Sequence, residues 1–598
     1  IQALLSGVNE PLGNKLLNFI QNKTCSRFNI DENLNIYDKT HNVFMYENLE
    51  EELNFFYQSI LEKTPRYPFV CIYGIGNALL IKNLAKHYKH LFVFESEIEL
   101  FILALSTIDL SEELKVYKVV LFDCVAKDLE IQIAMIFDQQ SILEYLSLYE
   151  MFISSHYYLK YYETSILSLN ELCIKSASVA IRNADITCFL PLLTHGQFLQ
   201  NIPSMLESIP FQRILSQRKN KFDNAIVVSA GPSLAKQLPL LKACQDKAVI
   251  FCADGALSML EKEGIVPDYV TNLDFTDLAM KFFQNKENLK QSIIALECAT
   301  HPNVAHSLKA ENCMIVLRNK ALYQRFNFND FGYIDTGTHV SHFSYTLALA
   351  LGFKNIIMIG QDLAFDEEGN SHSKGFDFGE KFSGEENIDK LKIPAYAGKG
   401  EVLTHTTWND YRIKLEYLFA CNDQKAKFYN ATEGGARINF TEELSFKECC
   451  EKLLTKEKPK FELPKSLTKN RSDKLLVKFK EKIQKDQENA KRFLDDALAL
   501  KQILENILSK DFILPLEFLE KVYQNIENFN HSLDEDEFIQ DEVLRGAFAY
   551  RGKLISDVLK LHIKDETHFI TAYIKAYHEW LLYFVEKLEQ KYKSLSKV

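Results

Sequence analysis

Glycine and proline are scarce in this chain of 598 residues, at 22 and 14, below the usual share of about 7% and 5%. That scarcity excludes collagen-like and low-complexity classes and favours long helices over a loop-rich all-β architecture. No apolar run reaches the roughly 18 to 20 residues that span a bilayer; the best candidate, TAYIKAYHEWLLYFV, contains Lys575, His578 and Glu579, so no membrane span is expected. The opening segment carries Glu10 and Lys15 inside its apolar pattern, and it lacks the basic start and unbroken apolar stretch of a secretory signal. The 12 cysteines never form CxxC, and their only close pair is Cys449–Cys450. Neither a zinc knuckle nor a disulfide framework fits that spacing, which suits reduced thiols in a cytoplasmic protein. Long basic runs are missing too, and 69 Lys+Arg against 81 Asp+Glu leave a net charge of -12, which argues against a nucleic-acid partner.

What is present describes a soluble folded protein: 47% hydrophobic, 12% aromatic and 25% charged residues, in a chain too long for one core. The patterning predicts an α/β protein of three domains. Residues 1–220 mix short strands with helical runs and contain a Rossmann-like unit. In it, a strand Phe69–Tyr73 enters Gly74-Ile75-Gly76-Asn77, a helix follows, and a second strand ends at Glu95, where a ribose-binding carboxylate would sit. The third glycine of that fingerprint is missing, so a half-site kept for packing is the favoured reading.

Residues 221–458 form a second α/β region, with β-rich runs AIVVS, AVIFC, YVTNL, SIIAL, CMIVL, NIIMI and AKFYN separated by helical or turn patterns. That alternation predicts a parallel sheet covered on both faces. The segment KEKPKFELPKSLTKN reads as a linker into a helical domain over 459–598, where Leu476, Phe479, Ile483 and Ala490 open a helical periodicity.

The strongest site signal is AIVVSAGPSLAKQLPLL. Its strand stops at Ser229, and Gly231-Pro232-Ser233 turns into a helix whose N-terminal N–H groups and dipole favour a phosphate. Other strands also end in polar residues: Asp254 after AVIFC, Asn272 and Asp274 after YVTNL, and Gly360 and Asp362 around Gln361 after NIIMI. Thr336 and Gly337 open a further helix. Ligands of parallel sheets bind outside the carboxyl ends of the strands, so these residues are expected around one crevice. Thr432 to Arg437 is a last candidate, since paired glycines permit close approach and Arg437 suits an anion.

AGPSL, IDTG before an apolar helix ending LGFKNI, then IGQDLAFDEEGNSH and NATEGGAR resemble the motility accessory factor (Maf) family of bacterial flagellin glycosyltransferases. The central region is also similar to the bacterial CMP-sialic acid transferases. The resemblance implies an N-terminal Rossmann-like domain, a central sialyltransferase-like catalytic domain and a C-terminal helical domain. It implies an inverting transfer of a nonulosonic acid, pseudaminic or legionaminic, from its CMP-activated form to Ser/Thr of flagellin. Gly231 and Ser233 would then hold the donor phosphate, Asp254 with Asn272 or Asp274 the ribose and cytosine, Thr336 and Gly337 the sugar or its carboxylate, and Gly360 with Asp362 the nucleotide wall. His405, in VLTHTTWNDYRIKLEYLF, is the expected general base and His372, in EEGNSHSKG, its rival. No resident cofactor or required metal is expected, and the Asp274–Asp277 run reads as an ordinary turn. A flagellin acceptor is the expected partner, and an oligomer is left open. Two alternatives stand beside this: an MptE-like pterin pyrophosphokinase using Mg²⁺ on Asp254, Asp274 and Asp277, and a non-catalytic flagellin-binding protein.

Overall fold

A computed structural model of the chain describes residues 2–5, 7–284, 288–382, 390–510 and 514–597. Packing divides the chain into two compact units: Ile1–Pro191 with Ala490–Gln590, and Leu192–Asn489 with Lys591–Val598. The expected α/β class with parallel sheets and many helices is the observed one. The expected division into 1–220, 221–458 and 459–598 does not coincide with these units: the first of them ends its N-terminal part at Pro191, and the helical residues 459–598 split between the two.

In the first unit, a small antiparallel sheet of β1 (Phe28–Ile30), β2 (Ile36–Asp38) and β3 (Val43–Phe44) precedes a parallel sheet. The latter joins β4 (Phe69–Tyr73), β5 (His90–Glu95), β6 (Val119–Asp123) and β7 (Met151–Ile153) in the order β6-β5-β4-β7. The glycine turn after β4 is closed by the protein's own groups. The N–H of Ile75 donates to Glu95, that of Gly76 to the Tyr158 hydroxyl, and that of Asn77 to the Tyr46 hydroxyl. Burial pushes the Glu95 carboxyl up to about 7 against the hydrogen bonds it accepts. The amides of this turn are thus engaged within the protein.

The second unit is built on a nine-stranded parallel sheet. Its strands are β8 (Asn224–Val228), β9 (Val249–Ala253), β10 (Tyr269–Asn272), β11 (Ile293–Glu297), β12 (Cys313–Arg318), β13 (Tyr333–Ile334), β14 (Asn355–Ile359), β17 (Lys427–Asn430) and β18 (Glu442–Glu443). They run in the order β13-β12-β11-β10-β9-β8-β14-β17-β18, and β15 (Lys390–Pro394) pairs antiparallel with β16 (Glu401–His405) beside it. β8, β9 and β11 are buried at every position, so their apolar runs need no alternation: both faces are covered. Val227, Phe251, Phe343 and Phe419 belong to one core that joins sheet and helices. The chain winds from β8 out to β13 and returns on the other side of β8 as β14, which places the topological switch between β8 and β14.

The expected linker is instead a strap on this unit. Lys458 pairs with Asp268, and Arg218 and Arg213 donate to the carbonyls of Glu462, Lys465 and Ser466. The prolines stop a helix from forming, yet the intervening polar backbone is held. No helix among the described residues is long and apolar enough to cross a membrane.

Candidate functional site

The carboxyl ends of β8 and β14 meet at the switch point, and a carboxylate of the protein fills the space between them. Gly231 donates its N–H to the Gly360 carbonyl at 2.8 Å, and a Cβ at Gly231 would collide with Asp362 and with that carbonyl. Gly360, at φ +64°, would collide with the Ser229 carbonyl if it carried a side chain. The Asp362 carboxylate accepts the Ser233 N–H at 3.2 Å and the Ser233 hydroxyl at 2.8 Å. The next N–H groups of the helix Leu234–Cys244 are engaged as well, Ala235 to the Ser373 hydroxyl and Lys236 to the Ser233 carbonyl. Where the sequence put a donor phosphate on Gly231 and Ser233, the group the structure places at this helix N-terminus is the Asp362 carboxylate. Burial raises the Asp362 carboxyl to about 6, more than its bonds to Ser233 lower it.

The next strand ends are brought together as expected. Asn272, at the end of β10, donates its Nδ2 to Asp254, at the end of β9. Asp254 also accepts the Gly255 N–H at 2.7 Å. Burial raises the Asp254 carboxyl to about 7, and the nearby Asp274 charge pushes the same way. Asn272 Oδ1 is buried without a hydrogen-bond partner. Asp274 accepts the N–H and hydroxyl of Thr276. Asp277 takes an amide N–H from Asn303. The Asp274–Asp277 run is thus a hydrogen-bonded turn, and among the described residues no group of three or more His, Cys, Asp or Glu is arranged to hold a metal ion.

Beside β10 lies the start of the helix Val340–Ala350, tied to it by a hydrogen bond between the Thr271 and Ser344 hydroxyls at 2.7 Å. The sequence signal put Thr336 and Gly337 at the opening of this helix; the cap is His339, whose Nδ1 accepts the His342 N–H. Thr336 is buried. Gly337, at φ +66° with its N–H donated to Asp335, lies against the His342 ring, where any Cβ would collide. Burial drives both imidazoles below their ordinary pKa. His339 Nε2 and both nitrogens of His342 are buried without a hydrogen-bond partner. Sequence reasoning missed these two histidines, although the pattern HVSH at the head of an apolar helix contains the signal: a polar pair where the core face begins.

His339 stacks on Tyr411 of the helix Thr406–Ala420 with centroids 4.7 Å apart. That helix is capped by His405, whose Nδ1 accepts the Trp408 N–H. The cap fixes the tautomer: with a lone pair on Nδ1, the neutral ring carries its proton on Nε2 and offers a donor, not a base. His372 is opposite in polarity. Its Nδ1 lies 3.0 Å from the Ser371 hydroxyl, which itself sits within hydrogen-bond reach of the Phe382 and Glu380 carbonyls. Ser371 spends its proton on a carbonyl, so His372 donates from Nδ1 and keeps a lone pair on Nε2. Burial lowers this ring to about 4, and it stacks on Phe376 at 3.9 Å. The two rival histidines flank one indole, with Trp408 at 4.0 Å from His405 and 6.4 Å from His372. The expected base and its rival therefore belong to one cluster around Trp408.

Arg437 stands half-exposed near Glu443. The glycines before it press on Asp362, and a Cβ at Gly435 would collide with its backbone. That loop braces the switch point.

Residues 196–368 match a protein-family model described as 6-hydroxymethylpterin diphosphokinase MptE-like. Among solved structures, the MAf glycosyltransferase from Magnetospirillum magneticum AMB-1 is similar over 100% of this chain and 96% of its own, at 15% identity and a TM-score of 0.59. What the two share is the fold. No curated protein matches the sequence. The whole-chain likeness includes the N-terminal and helical parts as well as the central sheet, as the sequence motifs led one to expect.

Proposed function

We propose that the chain is a glycosyltransferase that moves a nonulosonic acid from its CMP-activated form to a hydroxyl of flagellin. The observation that carries this reading is the set of unsatisfied buried atoms at the sheet's carboxyl edge: Asn272 Oδ1, His339 Nε2 and both nitrogens of His342. Buried polar atoms without partners cost about 1–3 kcal/mol each, and a bound ligand with donors and acceptors of its own removes that cost. A cytidine nucleotide with an acidic sugar carries both kinds of group. The whole-chain fold likeness to a glycosyltransferase supports the same class.

In this proposal the donor lies over Asp254, Asn272, Thr336 and Gly337. His405, through its Nε2 proton, stabilises charge on the departing phosphate, and Asp362 holds the helix at the switch point rather than touching phosphate. His372 Nε2 takes the proton of the acceptor hydroxyl as it attacks the anomeric carbon, while the bond to CMP breaks. Attack opposite the leaving group inverts the anomeric centre, and no resident metal takes part. Twelve free cysteines are consistent with work in the cytoplasm. The pterin diphosphokinase reading is favoured by the family-model match over residues 196–368.

Thermal shifts with CMP and CTP, set against ATP plus Mg²⁺, separate the two, and stabilisation by ATP alone would refute the transferase reading. Kinetics on flagellin test the roles: His372→Ala and His405→Ala should each lose at least about 100-fold in kcat. Normal turnover in both folded variants would sink the mechanism, and donor hydrolysis without acceptor distinguishes an enzyme from an adaptor.

A further inference from the structure

The first unit contains a cleft of about 840 Å³ that the proposed transfer does not use. Its wall carries aromatic rings, Tyr145, Tyr523, Phe569 and Tyr573, with Tyr523 and Tyr573 centroids 4.9 Å apart. Its charge is one-sided once internal pairs are removed. Arg551 is buried and held bidentately by Glu144 at 2.9 and 3.0 Å, and it also donates to Asn530. Arg66 donates to Glu566 and to the Ile563 carbonyl. Of the remaining lining charges, Asp534 lies 3.9 Å from Arg551, which leaves Glu527 and Glu520 against the single exposed Lys89. Glu527 accepts the Tyr573 hydroxyl and the Asn530 amide on Oε1 alone. Burial first, and the Glu527 charge with it, keep the Tyr145, Tyr523 and Tyr573 hydroxyls protonated.

Aromatic faces together with surplus carboxylates form a receptor for organic cations. The cleft already contains an internal instance, the Arg66 guanidinium 4.0 Å over the Phe569 ring.

We infer that this cleft binds an alkylammonium group, supplied either by a free polyamine or by a lysine side chain of a partner polypeptide. The inference goes beyond the transfer reaction and does not depend on it. Calorimetric titration of the full chain tests it, with spermidine and a peptide that has a blocked N-terminus and one lysine with a free side-chain amine as the two cationic arms, and succinate and a neutral diol as controls. One-site binding of either cation is expected, weakened at least about tenfold in Glu527→Gln, which keeps its shape and its bond to Tyr573, and likewise in Tyr523→Ala. Binding of spermidine alone assigns a free polyamine, and tighter binding of the peptide assigns a lysine. Absence of binding by both cations, equal binding of succinate, or affinity unchanged in both variants overturns the inference.

Discussion

Asp254 gives a direct test of whether the strand-end pocket is as dry as its geometry implies. Its carboxyl is 5% exposed and raised from 3.8 to about 7, chiefly by burial. The folded value lies above the unfolded one, so the fold opposes ionisation. The penalty is absent below about pH 4, grows as pH rises toward about 7, and is complete above that. With 1.36 kcal/mol per unit, it amounts to about 2 kcal/mol at about pH 5.5 and about 4 kcal/mol at about pH 8. Asp254→Asn removes the charge and keeps the shape. Relative to the unchanged chain, the variant should therefore gain about 2 kcal/mol between those two pH values, since other titrating groups cancel in the comparison. Urea unfolding read by pulsed hydrogen exchange in peptides from β9 and β10 follows this unit alone. A difference that stays constant within about 0.5 kcal/mol would show that water reaches the carboxylate, and the argument from burial would fail.

Gly337→Ala forces a side chain into the left-handed region, costing about 1–2 kcal/mol, and drives it into the His342 ring. CMP-donor binding should fall sharply while circular dichroism stays native; unchanged affinity would remove His342 from the site. Arg551→Met leaves Glu144 buried and unpaired, so the first unit should lose about 3–5 kcal/mol, checked by chemical denaturation followed at Trp580. Cys244 and Cys450 lie with sulfurs 3.5 Å apart. A diazene oxidant such as diamide should take one hydrogen atom from each thiol and leave a Cys244–Cys450 disulfide, seen in peptide mapping and absent in Cys450→Ser.

How much of this was legible depended on whether a signal was local. The strands of the central sheet were readable because doubly covered strands such as β8 and β11 are continuous apolar runs, and Asp254 and Asn272 were readable as polar ends of such runs. The role of Asp362 was not, because 129 residues of sequence separate it from the Ser233 hydroxyl it occupies; a glycine turn before a helix looks the same whether a ligand or a side chain satisfies it. His339 and His342 were hidden inside a helix that reads as core. The tautomers of His405 and His372 rest on the Trp408 N–H and the Ser371 hydroxyl, hydrogen bonds that no motif encodes. The division of the helical C-terminus was invisible because the helix Lys469–Leu508 continues without a break across the boundary at Ala490.

That boundary has a temporal side. Glu144 and Arg551 are 407 residues apart, so during translation at about 5–20 residues per second the N-terminal layer waits roughly 20–80 s for the guanidinium that neutralises it. Over that interval the sheet unit between them is synthesised in full apart from its last few residues. A nascent chain stalled near residue 480 should hold an assembled nine-stranded sheet beside an N-terminal half still awaiting its partner helices, a species that holding chaperones would favour.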